Sequence, residues 1–174
     1  MTDTQAHNIG QALIDECTRR LYGESLPRLR KCLGHLDDAE TWYRPNYQTV
    51  GVGNLVLHLC GNVRQWICTG LGGQADSRVR ASEFSETGPI PISELLDRLE
   101  QTLADARAVI DTLDPASILE TRRVQGFDES GLGILVHVVE HFSYHTGQIT
   151  YIVKSRKAVD LGYYSGVDLS KRGQ

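Results

Sequence analysis

No stretch of this sequence approaches the ~18 apolar residues that cross a bilayer. Its first twenty residues include Asp3, His7, Asn8, Asp15 and Glu16, which interrupt the apolar core that a signal peptide requires. Basic clusters are missing too. At a formal net charge of -4 the chain has no field to gather nucleic acid or anionic lipid unless positive residues concentrate locally. The densest positive runs, Arg19-Arg20, Arg28 to Lys31 and Lys154 to Lys157, are short and flanked by acidic or apolar residues, as on solvated helix faces. Neither a nucleic-acid nor a membrane partner is therefore expected. Cys17, Cys32, Cys60 and Cys68 form no Cys-x-x-Cys pair and sit in apolar patterns, which predicts reduced core thiols and a cytoplasmic protein. The sequence also lacks internal repeats, low-complexity tracts, a Gly-x-Ser-x-Gly elbow and a phosphate-binding glycine loop. No alternation is sustained enough to specify a sheet.

What remains is helical periodicity. The 174 residues, 40% hydrophobic and 23% charged, suffice for a single domain over 1–174 with a sizeable core. Ile9, Leu13, Cys17, Leu21, Leu29 and Leu33 recur at helical steps and predict a first helix, which Pro27 should kink or break near Ser25 because proline removes a donor. A second helix is predicted from about Val50 to Gly70, with Thr49 a candidate N-cap and Gly70, Gly72 and Gly73 as the stop. The stripe Ile92, Leu95, Leu96, Leu99, Leu103, Ala106, Ile110 and Leu113 marks a third, starting after Pro91 with Ser93 near the cap and ending at Asp114-Pro115. A fourth follows Ser130 and continues to about Lys154. Segments 37–49, 71–91 and 114–129 are rich in turn formers and read as connections long enough for crossovers. The tail from Ala158 should be irregular, packed back by Tyr163 and Tyr164. The expected fold class is all-α, a four-helix bundle with long connections.

Half of the six histidines, His137, His141 and His145, fall in the fourth helix, each four residues from the next. At ~100° and ~1.5 Å per residue, neighbours at i and i+4 can share an ion, whereas His137 and His145 are ~12 Å apart along the axis. One helix can thus supply two ligands. With Ile134 at zero, His141 falls at about -20° and His145 at about +20°, within the apolar stripe, while His137 lies at its edge near about -60°. Two imidazoles in an apolar stripe need their nitrogens satisfied, by a shared metal or by hydrogen bonds within the core.

On the second helix, His58 shares a face with Asn54, Asn62, Gln65 and Thr69, and from Gly51 to Leu71 the only charge is Arg64. Solvated faces carry Lys and Glu, so this stripe of amides resembles the lining of a wet pocket. There His58 can be a third ligand, with Asn62 or Gln65 orienting it or meeting a substrate. Three imidazoles and an open fourth position describe a catalytic rather than a closed structural site. An all-nitrogen set disfavours calcium and magnesium; zinc, nickel, iron, manganese and copper all suit it, zinc or nickel foremost. His137 to His141 also matches His-x-x-Glu-His, but only Asp160 and Asp168 follow as acidic candidates for the further ligand of an inverted zinc protease. Paired Glu-x-x-His motifs of a di-iron bundle are absent. Trp66 and the Trp42-Tyr43-Arg44-Pro45 segment are candidate dimer contacts, with core or loop anchoring the plainer reading.

The run Asn54 to Ile67, containing His58, Asn62, Arg64, Gln65 and Trp66, together with His137 to Ile149, containing His141, His145, Gly147 and Gln148, resembles the DinB/YfiT-like superfamily, in particular its DUF1572 branch. The resemblance extends from about Ile9 to Lys154. It implies an up-down-down-up four-helix bundle, often a homodimer, with one divalent transition metal held by His58, His141 and His145. It also implies a metal-dependent transferase acting with a low-molecular-weight thiol such as bacillithiol, mycothiol or glutathione upon an electrophile. Asn62, Gln65 and Gln148 are the candidate substrate-binding or ligand-orienting residues. A non-catalytic, metal-stabilised binding module is the alternative.

Overall fold

A computed structural model describes residues 3–172 of the protein. Helix α1 (Asp3–Thr18) passes through a π-helical segment, Arg19–Ser25, into α2 (Leu26–Leu33). Leu26 N–H bonds to the Leu21 carbonyl, five residues back, and Pro27 falls in the first turn of α2. The expected break near Ser25 is instead a change of helical register, a wider turn that accommodates the proline. The short helix α3 (Asp38–Thr41) follows, closed by a reciprocal capping box between Asp37 and Glu40. Helix α4 (Val52–Val63) runs on through a second π-helical segment, Arg64–Leu71. Its cap is not Thr49, whose hydroxyl donates to the Asn46 carbonyl. Gly51 occupies that position, and the Asn54 side-chain oxygen accepts from its N–H at 3.0 Å.

Helix α5 (Arg80–Ser85) lies within the long 71–91 connection, and α6 (Ile92–Ile110) begins where Asp38 Oδ1 accepts from Ile92 N–H at 2.8 Å. No side-chain cap comes from Ser93. After a 3₁₀ turn, Pro115–Leu119, comes a feature the sequence reading lacks, an antiparallel hairpin of β1 (Thr121–Val124) and β2 (Phe127–Ser130). Its register pairs Thr121 with Ser130 and Val124 with Phe127 around Gln125 and Gly126, both at positive φ. Four-residue strands carrying Arg122, Arg123, Asp128 and Glu129 show no apolar alternation; the tight turn sets the pairing instead. Helix α7 (Gly131–Lys157) is capped by Ser130, whose hydroxyl accepts from Gly133 N–H at 3.0 Å.

Helix directions follow from side-chain pairing. Tyr22 OH donates to the Leu103 carbonyl and Arg30 pairs with Glu100, so the first helix and α6 are antiparallel. Cys60 meets Thr102 and Arg64 meets Asp105, making α4 and α6 parallel. Asn62 meets His137 and Gly70 lies against Ile134, making α4 and α7 antiparallel. The order is therefore up-down-down-up. The core between the helices is built from Leu29, Leu33, Val56, Leu59, Ile67, Leu99, Ile134, Val138, Phe142 and Ile149, all inaccessible to solvent. Ile9, assigned to the first apolar stripe, is 59% exposed, while Ile14 and Leu21 face inward. Cys17, Cys32 and Cys68 are buried free thiols and Cys60 is a half-buried one. Tyr163 packs the tail back, its hydroxyl 2.8 Å from Thr150 Oγ1 and 3.0 Å from Cys32 Sγ. No helix among the described residues is long and apolar enough to cross a membrane.

Candidate metal centre

His58 on α4 and His141 and His145 on α7 bring one ligand atom each to within 4.8 Å of one another. His141 Nε2 stands 2.9 Å from His58 Nε2. Two bare lone pairs cannot share that separation, so a proton or a common cation must lie between them. Nitrogens bound tetrahedrally to one ion at ~2.05 Å would be about 3.3 Å apart; the 2.9 Å pair would open slightly, and a pair at the 4.8 Å limit would close by about 1.5 Å. The outer nitrogens of His145 and His58 are held. His145 Nδ1 donates to Gln148 Oε1 at 2.7 Å, and Gln148 Nε2 in turn donates to Tyr144 OH at 3.3 Å. His58 Nδ1 lies 2.8 Å from Glu83 Oε2. Because a carboxylate oxygen and an amide oxygen only accept, both contacts put the proton on Nδ1 and leave Nε2 to the centre, the arrangement by which histidine ligands are oriented in metal sites. The residues present fit a divalent transition metal.

Asn54, His58, Asn62 and Gln65 are all buried; a strap, residues 76–86, that includes α5 closes over Asn54, His58 and Gln65, and of the polar stripe only Gln65 and Thr69 border the cavity left between strap and helix. Asn54 Nδ2 donates to the carbonyls of Glu83 and Glu86, while Arg44 Nη2 donates to those of Phe84 and Glu86. Gln65 donates to Asp76 and accepts from Arg78, so it fastens the strap rather than facing the histidine cluster. Uncharged amides suit this because they bond the strap's carbonyls without stranding a buried charge. Asn62 Nδ2 is 3.2 Å from His137 Nε2, and its Oδ1 is buried without a partner among the described residues.

Glu83 and Arg78 are absent from the sequence reading. They form a buried pair, Arg78 Nε to Glu83 Oε1 at 2.7 Å and Nη2 to Oε2 at 2.9 Å. Both lie in a segment read as a connection, 20 and 25 residues from His58, and nothing in local spacing marks them. One trace does exist. A Cβ on Gly61 would collide with Glu83 Oε1 and come 2.8 Å from Arg78 Nε, so a glycine inside α4 makes room for the pair.

His137 belongs elsewhere. Its ring stacks on Trp66 with centroids 3.7 Å apart, and it lies outside the set of three. Trp66 itself is interior, donating to Gln125 Oε1 at the hairpin tip. Trp42 donates to the Ile90 carbonyl at 3.0 Å and packs its ring against Gly53 and Gly88. Both tryptophans therefore act as intramolecular anchors.

Burial, reinforced by the neighbouring imidazoles and Arg78, pushes His141 down to about 3. Burial also lowers His145, against the raising effect of its Gln148 bond, and it lowers His137. His141 and His145 are thus unprotonated at physiological pH, with ring lone pairs available to a metal. For Glu83 burial alone would raise the carboxyl, but hydrogen bonds from His58 and Arg78 and the Arg78 charge bring it below the ordinary value. A histidine depressed on folding remains unprotonated in the native state at pH values where the unfolded chain binds a proton. Metal-free protein should therefore lose stability as pH falls from about 6.5 toward 5, at up to ~1.4 kcal/mol per pH unit for each fully depressed histidine. Urea unfolding of chelator-treated protein at several pH values measures this; an unchanged midpoint between pH 7 and 5 would contradict it.

The model of the mycothiol-S-transferase family matches residues 23–159, well over half of the chain. The chain belongs to the mycothiol-S-transferase family. The crystal structure of a DinB-like protein from Bacillus cereus is similar in fold, with a TM-score of 0.63 and 13% identity over 80% of this chain and 90% of that one. No curated protein sequence matches. The DinB/YfiT-like resemblance is borne out by both the family and the fold; neither comparison names the DUF1572 branch. As a member of the mycothiol-S-transferase family, the chain places its three converging imidazoles between α4 and α7.

Proposed function

We propose that this protein is a metal-dependent transferase that couples a low-molecular-weight thiol, of the mycothiol, bacillithiol or glutathione kind, to a small electrophile. His58, His141 and His145 are the metal ligands. The observation that carries the reading is the convergence of three ligand atoms within 4.8 Å, with the Nδ1 atoms of His58 and His145 already engaged. A divalent ion with three imidazole ligands leaves a position for an incoming ligand and supplies the Lewis acidity that lowers a thiol's pKa. The thiol gives up its proton to solvent, its sulfur forms a C–S bond at the electrophilic carbon, and the leaving group departs with the bonding pair.

The chain's own residues shape that encounter. The Phe84 ring lies 4.7 Å from the His58 ring and the Tyr144 ring 5.0 Å from that of His145, so aromatic faces border the cluster on two sides. Beside Gln148 a groove lined by Val50, Leu55, Gly147, Tyr151 and Ile152 is apolar enough to take the body of an electrophile. Metal-loaded protein should form thioether from at least one of these thiols and an aromatic halide, detected by mass spectrometry. Chelation should abolish turnover while leaving the far-ultraviolet circular dichroism unchanged, because the apolar core is complete without the ion. Loss of the helical signal on chelation would assign the ion a structural role, and absence of both turnover and thiol binding across these thiols would refute the transferase reading.

A further inference from the structure

We propose that Glu83 is a positioning residue for metal binding: it fixes the His58 proton on Nδ1, presents Nε2 unprotonated to the point where His141 and His145 converge, and thereby makes metal affinity depend on the docked strap. The inference rests on His58 being a metal ligand. Three observations support it. Glu83 Oε2 is 2.8 Å from His58 Nδ1, and the two side chains are only 9% and 5% exposed. Arg78 Nη2, which can only donate, is 3.1 Å from the same nitrogen but nearer, at 2.9 Å, to Glu83 Oε2, the charged acceptor that takes its hydrogen bond. Had the proton been on Nε2, Arg78 would donate to Nδ1, but the carboxylate lone pairs would then face the imidazole lone pair at hydrogen-bond distance. Glu83 therefore selects the Nδ1–H tautomer, and Arg78 holds the carboxylate in place through its two contacts.

The second observation is cost. A buried ion pair is no better for stability than apolar packing of the same volume, so packing alone does not call for an arginine and a glutamate under this strap. A carboxylate bonded to the far nitrogen of a metal-binding imidazole raises its basicity and fixes its ring, which gives the pair a purpose. Third, α4 accommodates the pair: Gly61 leaves the space that any Cβ would take from Glu83 Oε1. The strap's remaining bonds, from Asn54, Arg44 and Gln65, go to backbone carbonyls, Asp76 and Arg78 rather than to a histidine. Glu83 is thus the strap's carboxylate link to the cluster.

Calorimetric titration of metal-free protein with zinc tests this on wild type, Glu83→Gln, Glu83→Gln/Arg78→Gln, Gly61→Ala and Asp76→Asn. The double variant removes the carboxylate without stranding the buried guanidinium, so folding is preserved should the single variant fail. Expected are a roughly 10–100-fold loss of zinc affinity in both Glu83 variants, a smaller loss in Gly61→Ala, and wild-type affinity in Asp76→Asn, which loosens the strap away from His58. The cobalt-loaded visible spectrum should shift in the Glu83 variants alone. Wild-type affinity in the folded double variant overturns the proposal while leaving the three-histidine site standing. An equal loss in Asp76→Asn overturns it in favour of general strap closure. Failure of wild type itself to bind zinc or cobalt overturns the metal reading and this inference together.

Discussion

His58→Ala and His141→Ala protein should each purify with under about a tenth of an ion per chain where wild type holds about one, since a three-imidazole site reduced to two no longer encloses its ion. His145→Ala should behave likewise. His137→Ala and His35→Ala should retain wild-type metal content. His137 is the stringent control: it sits one turn before His141, is also shifted down by burial, and presents a ring 5.4 Å from that of His141. Yet its Nε2 meets Asn62 and its face is taken by Trp66. His35, exposed just beyond α2, controls for adventitious surface binding. Elemental analysis after gel filtration decides, and equal metal in all five variants would remove the assignment.

The largest effect on stability is expected at Phe142→Ala. Phe142 is completely buried beside His141, and its carbonyl accepts from the Thr146 hydroxyl at 2.8 Å. Removing the ring forfeits its transfer free energy and leaves a cavity between long helices that cannot fully close, a loss of about 3–5 kcal/mol. In a chain of this length that lowers the melting temperature by roughly 10–15 °C. Because Phe142 packs the stretch of α7 that carries His141 and His145 against the core, metal affinity should weaken as well. Thermal denaturation followed by circular dichroism measures the first effect; a shift below about 3 °C would mean that the core repacks around the gap.

The periodic part of the chain was legible in advance. Spacing of apolar residues located the four long helices, and the same wheel selected His141 with His145 over His137, the pair that faces His58 across α4 and α7. The missing charge between Gly51 and Leu71 correctly marked an unusual helix face, but not what meets it. That face is a docking seam for the strap. The hairpin at 121–130 escaped notice because charged four-residue strands carry no periodic signal.

What the sequence determined by itself is what repeats every three or four residues: which faces are apolar, where the helices lie, and which imidazoles can stand together on one helix. Only the tertiary structure decided that Glu83 and Arg78 close over His58, that Gly61 clears their path, and that Trp66 lies beneath His137 with Gln125 at its edge. The physical reason is range. Helical periodicity follows from backbone geometry within a turn or two, whereas a contact between residues 25 apart depends on how an irregular connection closes upon a helix already formed.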